Sequence, residues 1–187
     1  MGKIILGSSS PRRADILKKL KLDYEIIPSG YVEPHDQTDF SYSFVENLAY
    51  NKALDVAGKV DADALVIGAD TIVVADNKIL GKPKDRQDAY ETLKLLSGRT
   101  HFVVTGVAVV RTSDLAYKIK SETTYVTFSK LSDEKINYYI DNFKPFDKAG
   151  SYGIQELPEG YVDKVDGDLD NVIGLPSKTV LELLNSL

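Results

Sequence analysis

The chain of 187 residues has no cysteine, only two histidines and no long hydrophobic run. The absence of cysteine excludes disulfides, thiol catalysis and thiolate metal sites, and it gives no indication of an oxidising compartment. Because His35 and His101 are far apart in sequence, a zinc site with the usual ligands is not expected. No apolar run approaches the roughly 18 residues that a membrane-spanning helix needs. The N-terminus has no apolar signal region, so we expect a cytoplasmic protein without a membrane partner.

The charge balance and the length narrow the class of protein further. A net charge of −5 argues against broad binding to duplex DNA, which usually needs a basic surface. A local basic cleft on an acidic surface stays open as an alternative. Hydrophobic residues make up 43% of the chain, which is ample for a globular core. We therefore expect one domain over residues 1–187, without a nucleic-acid partner.

Apolar runs and helical periodicities alternate along the chain, which predicts an α/β domain with a mixed sheet. The predicted strands cover residues 3–6, 23–28, 64–68 with an extension over 71–75, 78–80, 102–110 and 118–128. The predicted helices cover residues 11–20 and 44–57, follow Asp85 and Ser132, and include Leu181 and Leu184 near the last residues.

Two boundary predictions depend on local motifs. Ser43 and Glu46 form a capping-box pattern, which predicts that the second helix begins there. The pair Asp166-Gly167 lies between two apolar segments, residues 161–165 and 169–173, and this pattern predicts a β-hairpin.

The first twenty residues predict a phosphate site. An apolar strand enters a turn of small residues that ends at Ser10, and Pro11 fits the first position of a helix. Arg12 and Arg13 then stand at the helix N-terminus, where their charge opposes the helix macrodipole. An anion bound by the free N–H groups would remove this conflict. The alternative is a structural helix cap with both arginines pointing into water.

Two further segments carry charged side chains at places where chemistry is expected. Asp70 follows the buried run 64–68, and a carboxylate just past a strand end can bind a divalent metal or serve as a general base. The alternative is a turn aspartate that bonds to nearby backbone. Lys52 falls close to the apolar face of helix 44–57, where a lysine must either extend to solvent or meet an anion.

Two loops have the composition of ligand-binding segments. Lys82 lies between a glycine and a rigid proline, but the upstream glycine and the hydroxyl residue of a P-loop are missing. Segment 149–155 has two glycines, which allow a backbone to approach a ligand, and Gln155 can pair with the edge of a base. The alternatives are a solvated loop for the first segment and an ordinary turn before a strand for the second.

Taken together and in this order, the motifs resemble the Maf family of nucleoside triphosphate pyrophosphatases, also called septum-formation-inhibitor proteins. The motifs that carry the resemblance are Ser8–Arg13, Glu33 and residues 51–53, 68–71, 81–83, 150–155 and 174–176. The resemblance implies an elongated mixed sheet with flanking helices and two lobes around a central cleft, similar to inosine triphosphate pyrophosphatases. It also implies cleavage of a nucleoside triphosphate to the monophosphate and pyrophosphate, a house-cleaning role with a link to cell-division arrest, and a homodimer.

The resemblance assigns the reaction to four charged residues. The general base of the family matches Asp70, its acidic loop residue matches Glu33, and its two cleft lysines match Lys52 and Lys82. Glu33 and Asp70 are the implied metal ligands, and their oxygen atoms suit Mg²⁺ or Mn²⁺. The family often has a second acidic residue just before the loop glutamate, and here that position is Val32.

The resemblance also assigns substrate contacts. Its phosphate-binding positions match Ser8 and Arg13, and its three positions linked to base choice match Arg12, Thr71 and Gln155. At all three the chain looks like the subgroup that acts on dTTP and UTP. The subgroup that prefers 7-methyl-GTP usually has an aromatic residue in place of Arg12. The alternatives are a pyrophosphatase of 7-methyl-GTP or inosine-type triphosphates, and a nucleotide-sensing regulator of septum formation without turnover, which would not need a base.

Overall fold

A computed structural model describes residues 2–34 and 37–187 and shows a seven-stranded sheet with helices on both faces. His35 lies outside the described residues. The strands are β1 (Lys3–Leu6), β2 (Tyr24–Ile26), β3 (Ala64–Ala75), β4 (Lys78–Leu80), β5 (Thr100–Arg111), β6 (Tyr117–Phe128) and β7 (Val162–Asp166). The helices are α1 (Pro11–Lys19), α2 (Tyr42–Ala57), α3 (Arg86–Leu96), α4 (Asp133–Phe143), α5 (Leu169–Ile173) and α6 (Ser177–Asn185), and a 3-10 turn covers Ala149–Ser151.

The sheet is mixed, as the sequence predicts. Its strand order is β2-β1-β3-β5-β6-β7, and β4 pairs with β3. β1 runs parallel to β2 and β3, whereas every other described pair is antiparallel. In the described part of the chain, no helix is long and apolar enough to cross a membrane.

One edge of β3 is open in its middle. On that edge β1 pairs with Ala64–Ile67 and β4 pairs with Val73–Ala75. Between these two pairings, over residues 68–72, no strand among residues 2–34 and 37–187 pairs with this edge. The opposite edge of β3 pairs with β5 over the same residues. Gly7 donates its backbone N–H to the carbonyl of Ile67, and the chain then leaves the sheet. The opening therefore leaves backbone groups of β3 without a strand partner beside the start of α1.

Helix α2 covers one face of the sheet at unusually short range. A Cβ atom at Gly68 would lie 2.2 Å from the carbonyl oxygen of Ala49, and one at Gly106 would lie 2.6 Å from that of Val45. Only glycine at these two strand positions lets the helix backbone lie against the sheet. This packing determines how closely α2 approaches the middle of β3.

The core on the opposite face divides into two clusters at the two ends of β3. The α1–α6 cluster is built from aliphatic side chains and includes Ile4, Leu6, Ile16, Leu17, Ile67, Val180 and Leu183. The α3–α4 cluster is richer in aromatic rings and includes Leu93, Leu96, Phe128, Ile136, Tyr139 and Tyr152. The open edge of β3 lies between the two clusters, so the sheet has one packing region on each side of it.

The predicted hairpin around Asp166-Gly167 is wrong. β7 precedes this pair, but residues 169–173 form helix α5 instead of a returning strand. Asp168 caps this helix by accepting a hydrogen bond from the N–H of Asp170. Gly167 has a φ of 130°, which turns the chain onto the sheet rather than back along β7.

The predicted capping box of the second helix is also corrected. Helix α2 begins after Ser41, whose hydroxyl accepts from the N–H of Phe44, so Ser43 lies inside the helix and Glu46 instead accepts from the hydroxyl of Ser121. The reason is a short pairing of residues 38–40 with residues 77–79, which keeps the chain extended up to Ser41.

Candidate functional site

Lys52 brings two of the predicted carboxylates together. Its Nζ lies 2.5 Å from Oδ1 of Asp70 and 2.6 Å from Oε1 of Glu33. The lysine side chain is only 14% exposed, because α2 holds it against the middle of β3. The sequence left two outcomes open for this lysine, and the structure shows the second one, contact with anions. We call Lys52, Asp70 and Glu33 the Lys52 group.

The sequence predicts that Asp70 lies just past the end of a strand, and the structure shows that it does not. β3 continues to Ala75, so Asp70 is inside the strand and next to its open edge. Successive side chains of a strand point to opposite faces. Asp70 therefore faces α2, as Gly68 does, whereas Thr71 faces the side of α1.

Glu33 reaches Lys52 from a loop that α2 holds in place. Asp55 on α2 accepts hydrogen bonds from the hydroxyl of Ser29 at 2.9 Å and from the N–H of Gly30 at 2.8 Å. These bonds hold the start of the loop on the helix. The contact between Lys52 and Glu33 follows three residues later in the chain.

The pKa values of the two carboxylates are shifted in opposite directions from their ordinary values. Burial raises the pKa of Asp70, although the charges of Lys52 and Arg13 oppose the shift. Burial acts in the same direction on Glu33, but the hydrogen bond and charge of Lys52 outweigh it, so the pKa of Glu33 lies below its ordinary value. A raised pKa suits Asp70 for the role of a proton acceptor.

Arg13 fills the open edge of β3. Its Nη1 donates to the carbonyl of Ala69 at 2.8 Å and to the hydroxyl of Ser8 at 3.2 Å, and its Nε donates to the carbonyl of Gly174 at 2.9 Å. Nη2 donates to the hydroxyl of Thr71 at 3.3 Å. A guanidinium has five N–H groups, so one Nη2 hydrogen has no partner among the described residues and is available for an anion.

The N-terminus of α1 has the predicted position. Ser10 precedes the helix and Pro11 occupies its first turn, but the hydroxyl of Ser10 makes no capping bond. The hydroxyl of Ser8 instead accepts from the N–H of Ser10 at 3.2 Å and from Arg13. Ser8 thus links the turn before the helix to the arginine at the open edge.

Two of the three residues linked to base choice line the same surface depression. Arg12 and Gln155 line a surface depression of about 360 Å³, together with Ile173. Thr71 does not line it. The hydroxyl of Thr71 bonds to that of Thr105 at 2.9 Å, and the Arg13 guanidinium donates to it.

Lys82 lies on the loop after β4 and is exposed. The carbonyl of its neighbour Gly81 accepts a hydrogen bond from the N–H of Gly150, which joins this loop to the segment that carries Gln155. Lys82 forms no ion pair among the described residues, yet its charge contributes to the lowered pKa of Glu33. A free cation that faces the Lys52 group can bind an incoming anion.

The donor set fits a hard divalent cation. No group of three or more acidic or histidine side chains that could hold a metal occurs in the part of the chain that the structure describes. Glu33 and Asp70, however, both reach the same ammonium, so two carboxylates converge on one point. Mg²⁺ is typically held by one or two carboxylates, with phosphate oxygens of the substrate and water completing its shell.

Some residues of the site were not identified from the sequence. Thr105 interrupts an apolar strand, and this signal could have identified it. Gly174 belongs to the 174–176 motif, but its contacts were not foreseen: it has a φ of 128° and offers its carbonyl to both Arg13 and Thr71. Asn171 is fully buried and donates to the carbonyl of Val103, which holds α5 on the sheet, and nothing in the sequence indicates this contact.

The chain is similar to known proteins in both sequence and fold. A family model described as Maf-like protein matches residues 3–187. The dTTP/UTP pyrophosphatase of Thermoanaerobacter pseudethanolicus is 47% identical over 182 residues, which covers 97% of this chain and 95% of that protein. The dTTP/UTP pyrophosphatase of Alkaliphilus metalliredigens is 46% identical over 185 residues, which covers 99% and 96%. A HAM1 protein from Coxiella burnetii has a similar fold, with a TM-score of 0.53 over the whole of both chains at 16% identity.

Proposed function

The chain belongs to the Maf family, and from this premise we propose that it hydrolyses dTTP and UTP to the nucleoside monophosphate and pyrophosphate. The names of relatives that are 46% and 47% identical over nearly their full length support the substrate class. The observation that carries the proposal is the Lys52 group beside the open edge of β3, because it combines a buried base with a fixed ammonium. We expect the enzyme to work in the cytoplasm, where nucleoside triphosphates are made.

Asp70 is the proposed base. Hydrolysis at the α-phosphorus needs a water molecule that loses a proton as it attacks, and pyrophosphate must then leave. A carboxylate with a raised pKa accepts a proton near neutral pH more readily than an ordinary aspartate. Lys52 holds this carboxylate in one position and keeps its charge compensated.

The remaining charges act on the triphosphate. Glu33 and Asp70 are the carboxylates that would hold a divalent cation, which supplies positive charge to the phosphate oxygens and to bound water. Lys82 is exposed and binds phosphate as a second cation. Arg13 has one Nη2 hydrogen left at the open edge, beside the Nη2 contact with the hydroxyl of Thr71.

The recognition of the base falls to Arg12 and Gln155, which line one depression. The side-chain amide of Gln155 offers a donor and an acceptor, which match the edge of uracil or thymine. Thr71 contacts Arg13 and not this depression, so we expect it to influence the substrate through the arginine.

Product analysis tests the proposal directly. The protein is incubated with UTP and Mg²⁺, and the digest is separated by ion-exchange chromatography. We expect UMP and pyrophosphate in equal amounts. UDP and orthophosphate would exclude pyrophosphatase chemistry, and binding of UTP without any product would favour the nucleotide-sensing alternative.

A substrate panel tests the subgroup. The kcat/KM values for UTP, dTTP, CTP, GTP and 7-methyl-GTP are compared under the same conditions. We expect dTTP and UTP to lead. If 7-methyl-GTP leads, the subgroup is wrong even though the reaction class stands.

A further inference from the structure

Lys148 is a charged residue that is almost completely buried next to the proposed base-recognition surface. Only 8% of the residue is exposed. Its Nζ lies 2.8 Å from Oδ1 of Asp147 and 3.1 Å from Oε2 of Glu156. A buried ammonium is costly unless it is paired, so two carboxylates around it indicate a built arrangement rather than a solvated lysine. Neither the family resemblance nor the proposed reaction assigns Lys148 a role.

The side chain of Lys148 holds a tight turn. Residues 153–156 form this turn, since the N–H of Glu156 donates to the carbonyl of Gly153 at 2.9 Å. A Cβ atom at Gly153 would lie 2.9 Å from Cε of Lys148, so the aliphatic stem passes directly over the glycine. The ammonium then pairs with Glu156 at the other end of the turn.

The core holds the same turn from below. Gly153 donates its N–H to the hydroxyl of Tyr139 at 3.0 Å, and Ile154 packs on the α3–α4 cluster. Gln155 is left as the exposed residue of the turn. The direction of the Gln155 amide therefore depends on a turn that is fixed by the core on one side and by Lys148 on the other.

Asp147 connects this turn to α1. Its Oδ1 pairs with Lys148, and its Oδ2 lies 3.9 Å from Nη1 of Arg12. Arg12 belongs to the helix at one end of the sheet, whereas Asp147 and Lys148 belong to the other end. The two residues that line the base depression, Arg12 and Gln155, are thus joined through Asp147, Lys148 and Glu156.

We propose that Lys148 is a positioning residue for base recognition, which sets the orientation of Gln155 through Glu156 and its distance from Arg12 through Asp147. The proposal rests on the proposed function for its kinetic consequence. Its physical basis is the burial of the Lys148 ammonium against one buried oxygen of Glu156, whose side chain is otherwise 38% exposed. Oε2 of Glu156 is buried and accepts no hydrogen bond from the described residues apart from this ionic contact, so loss of the lysine charge leaves a carboxylate that must reach water.

The test compares Lys148→Met with Lys178→Met. Methionine keeps the stem over Gly153 and removes the charge, and Lys178 is an exposed lysine on α6 that serves as the control. Two readouts are taken: the ratio of kcat/KM for UTP to that for GTP, and hydrogen–deuterium exchange of a peptide that covers residues 149–156. For Lys148→Met we expect the ratio to fall at least about tenfold, mainly through a higher KM for UTP, and the peptide to exchange faster. Lys178→Met should match the wild type in both.

A second variant keeps the proposal falsifiable if Lys148→Met does not fold. Glu156→Gln removes the partner charge within the turn, and it should also lower the UTP:GTP ratio and speed exchange. Lys148→Arg retains the charge and should recover part of the ratio. Folded Lys148→Met or Glu156→Gln protein with a wild-type ratio and wild-type exchange would overturn the proposal. If the wild type hydrolyses no nucleoside triphosphate, the proposed function fails, and the exchange measurement still decides whether Lys148 fixes the turn.

Discussion

The two ends of the proposed nucleotide site are held in different ways. In the Lys52 group, both ion pairs are short, 2.5 and 2.6 Å, and the lysine side chain is 14% exposed. At the recognition end, Arg12 stands 3.9 Å from its nearest described carboxylate, and Gln155 is exposed at the edge of an open depression. The charges of the Lys52 group are thus paired before substrate arrives, whereas Arg12 and Gln155, which face the base, have no close partner.

This difference matches what each end has to do. Groups that stabilise a transition state act most strongly when they are fixed beforehand and partly removed from water. Groups that select a base are exposed in the free protein and act once the bound base buries them, because a wrong base then leaves them unpaired. Changes in the Lys52 group should therefore lower the rate for every substrate, and changes at the recognition end should alter the preference among substrates.

Removal of divalent cations should give the largest effect. Glu33 and Asp70 both contact Lys52 Nζ, so their carboxylates lie close together, and we expect a divalent cation held beside them to be needed by all substrates alike. Exhaustive treatment with EDTA should abolish hydrolysis of UTP and dTTP, and Mg²⁺ or Mn²⁺ should restore it. Full activity after chelation would contradict a cation-dependent reaction.

Asp70→Asn should have the second-largest effect. The change keeps the size of the side chain but removes its basicity, and loss of a positioned base typically lowers turnover by about 10²–10⁴-fold. We expect a loss of this size in kcat for both UTP and dTTP. The control is Asp166→Asn, which alters an exposed carboxylate paired with Lys164. An Asp70→Asn protein with near-normal turnover would exclude the role of base.

Much of the fold could be predicted because it depends on local periodicity. β1, β4 and α1 have nearly the predicted bounds, and Asp85 and Ser132 cap their helices as expected. Helix α5 could not be predicted, because its stability depends on contacts far away in sequence. Asn171 binds the carbonyl of Val103 on β5, and no pattern within residues 166–173 indicates that contact.

The site was predictable in its members more than in its arrangement. Asp70 and Lys52 can each be selected from their own surroundings, and the family resemblance supplies Glu33. Their contact depends on how deeply α2 packs on β3, which Gly68 decides by the absence of a Cβ atom. The separation of Thr71 from Asp70 follows from the alternation of side chains along β3 once the strand is known to continue through both residues.

The next prediction concerns the pH dependence of folding, which depends on a buried histidine near the recognition end of the site. Tyr152 precedes the recognition turn, and its hydroxyl lies 2.7 Å from Nε2 of His101, which is 2% exposed. Burial lowers the pKa of His101 from 6.5 to about 4. Nδ1 of His101 is buried without a partner among the described residues, so a proton there has no acceptor.

The direction of the pH effect on stability follows from the lowered pKa of His101 in the folded state. The unfolded chain binds a proton at His101 near pH 6.5 and the folded chain only near pH 4. Stability from this group is present above pH 6.5 and is lost as the pH falls, by about 2 kcal/mol between pH 7 and pH 5. Urea titrations at both pH values measure it. His101→Gln should show a correspondingly smaller pH dependence, and equal dependence in both proteins would refute the assignment.

The smallest expected effects are those of two residues linked to base choice, Gln155 and Thr71, and they test the difference between the two ends of the site most directly. Gln155→Leu removes an exposed donor and acceptor, so we expect the UTP:GTP ratio of kcat/KM to fall about tenfold or more. Thr71→Val keeps the shape but removes a hydroxyl that meets Arg13, Thr105 and Gly174 away from the depression. Because Arg13 faces the phosphates that all substrates share, Thr71→Val should lower kcat/KM about fivefold for UTP and GTP alike and leave their ratio within about twofold of the wild type. A Thr71→Val protein that changes the ratio as strongly as Gln155→Leu would show that the base reaches the open edge of β3, and the division between a reacting end and a recognising end would then have to be given up.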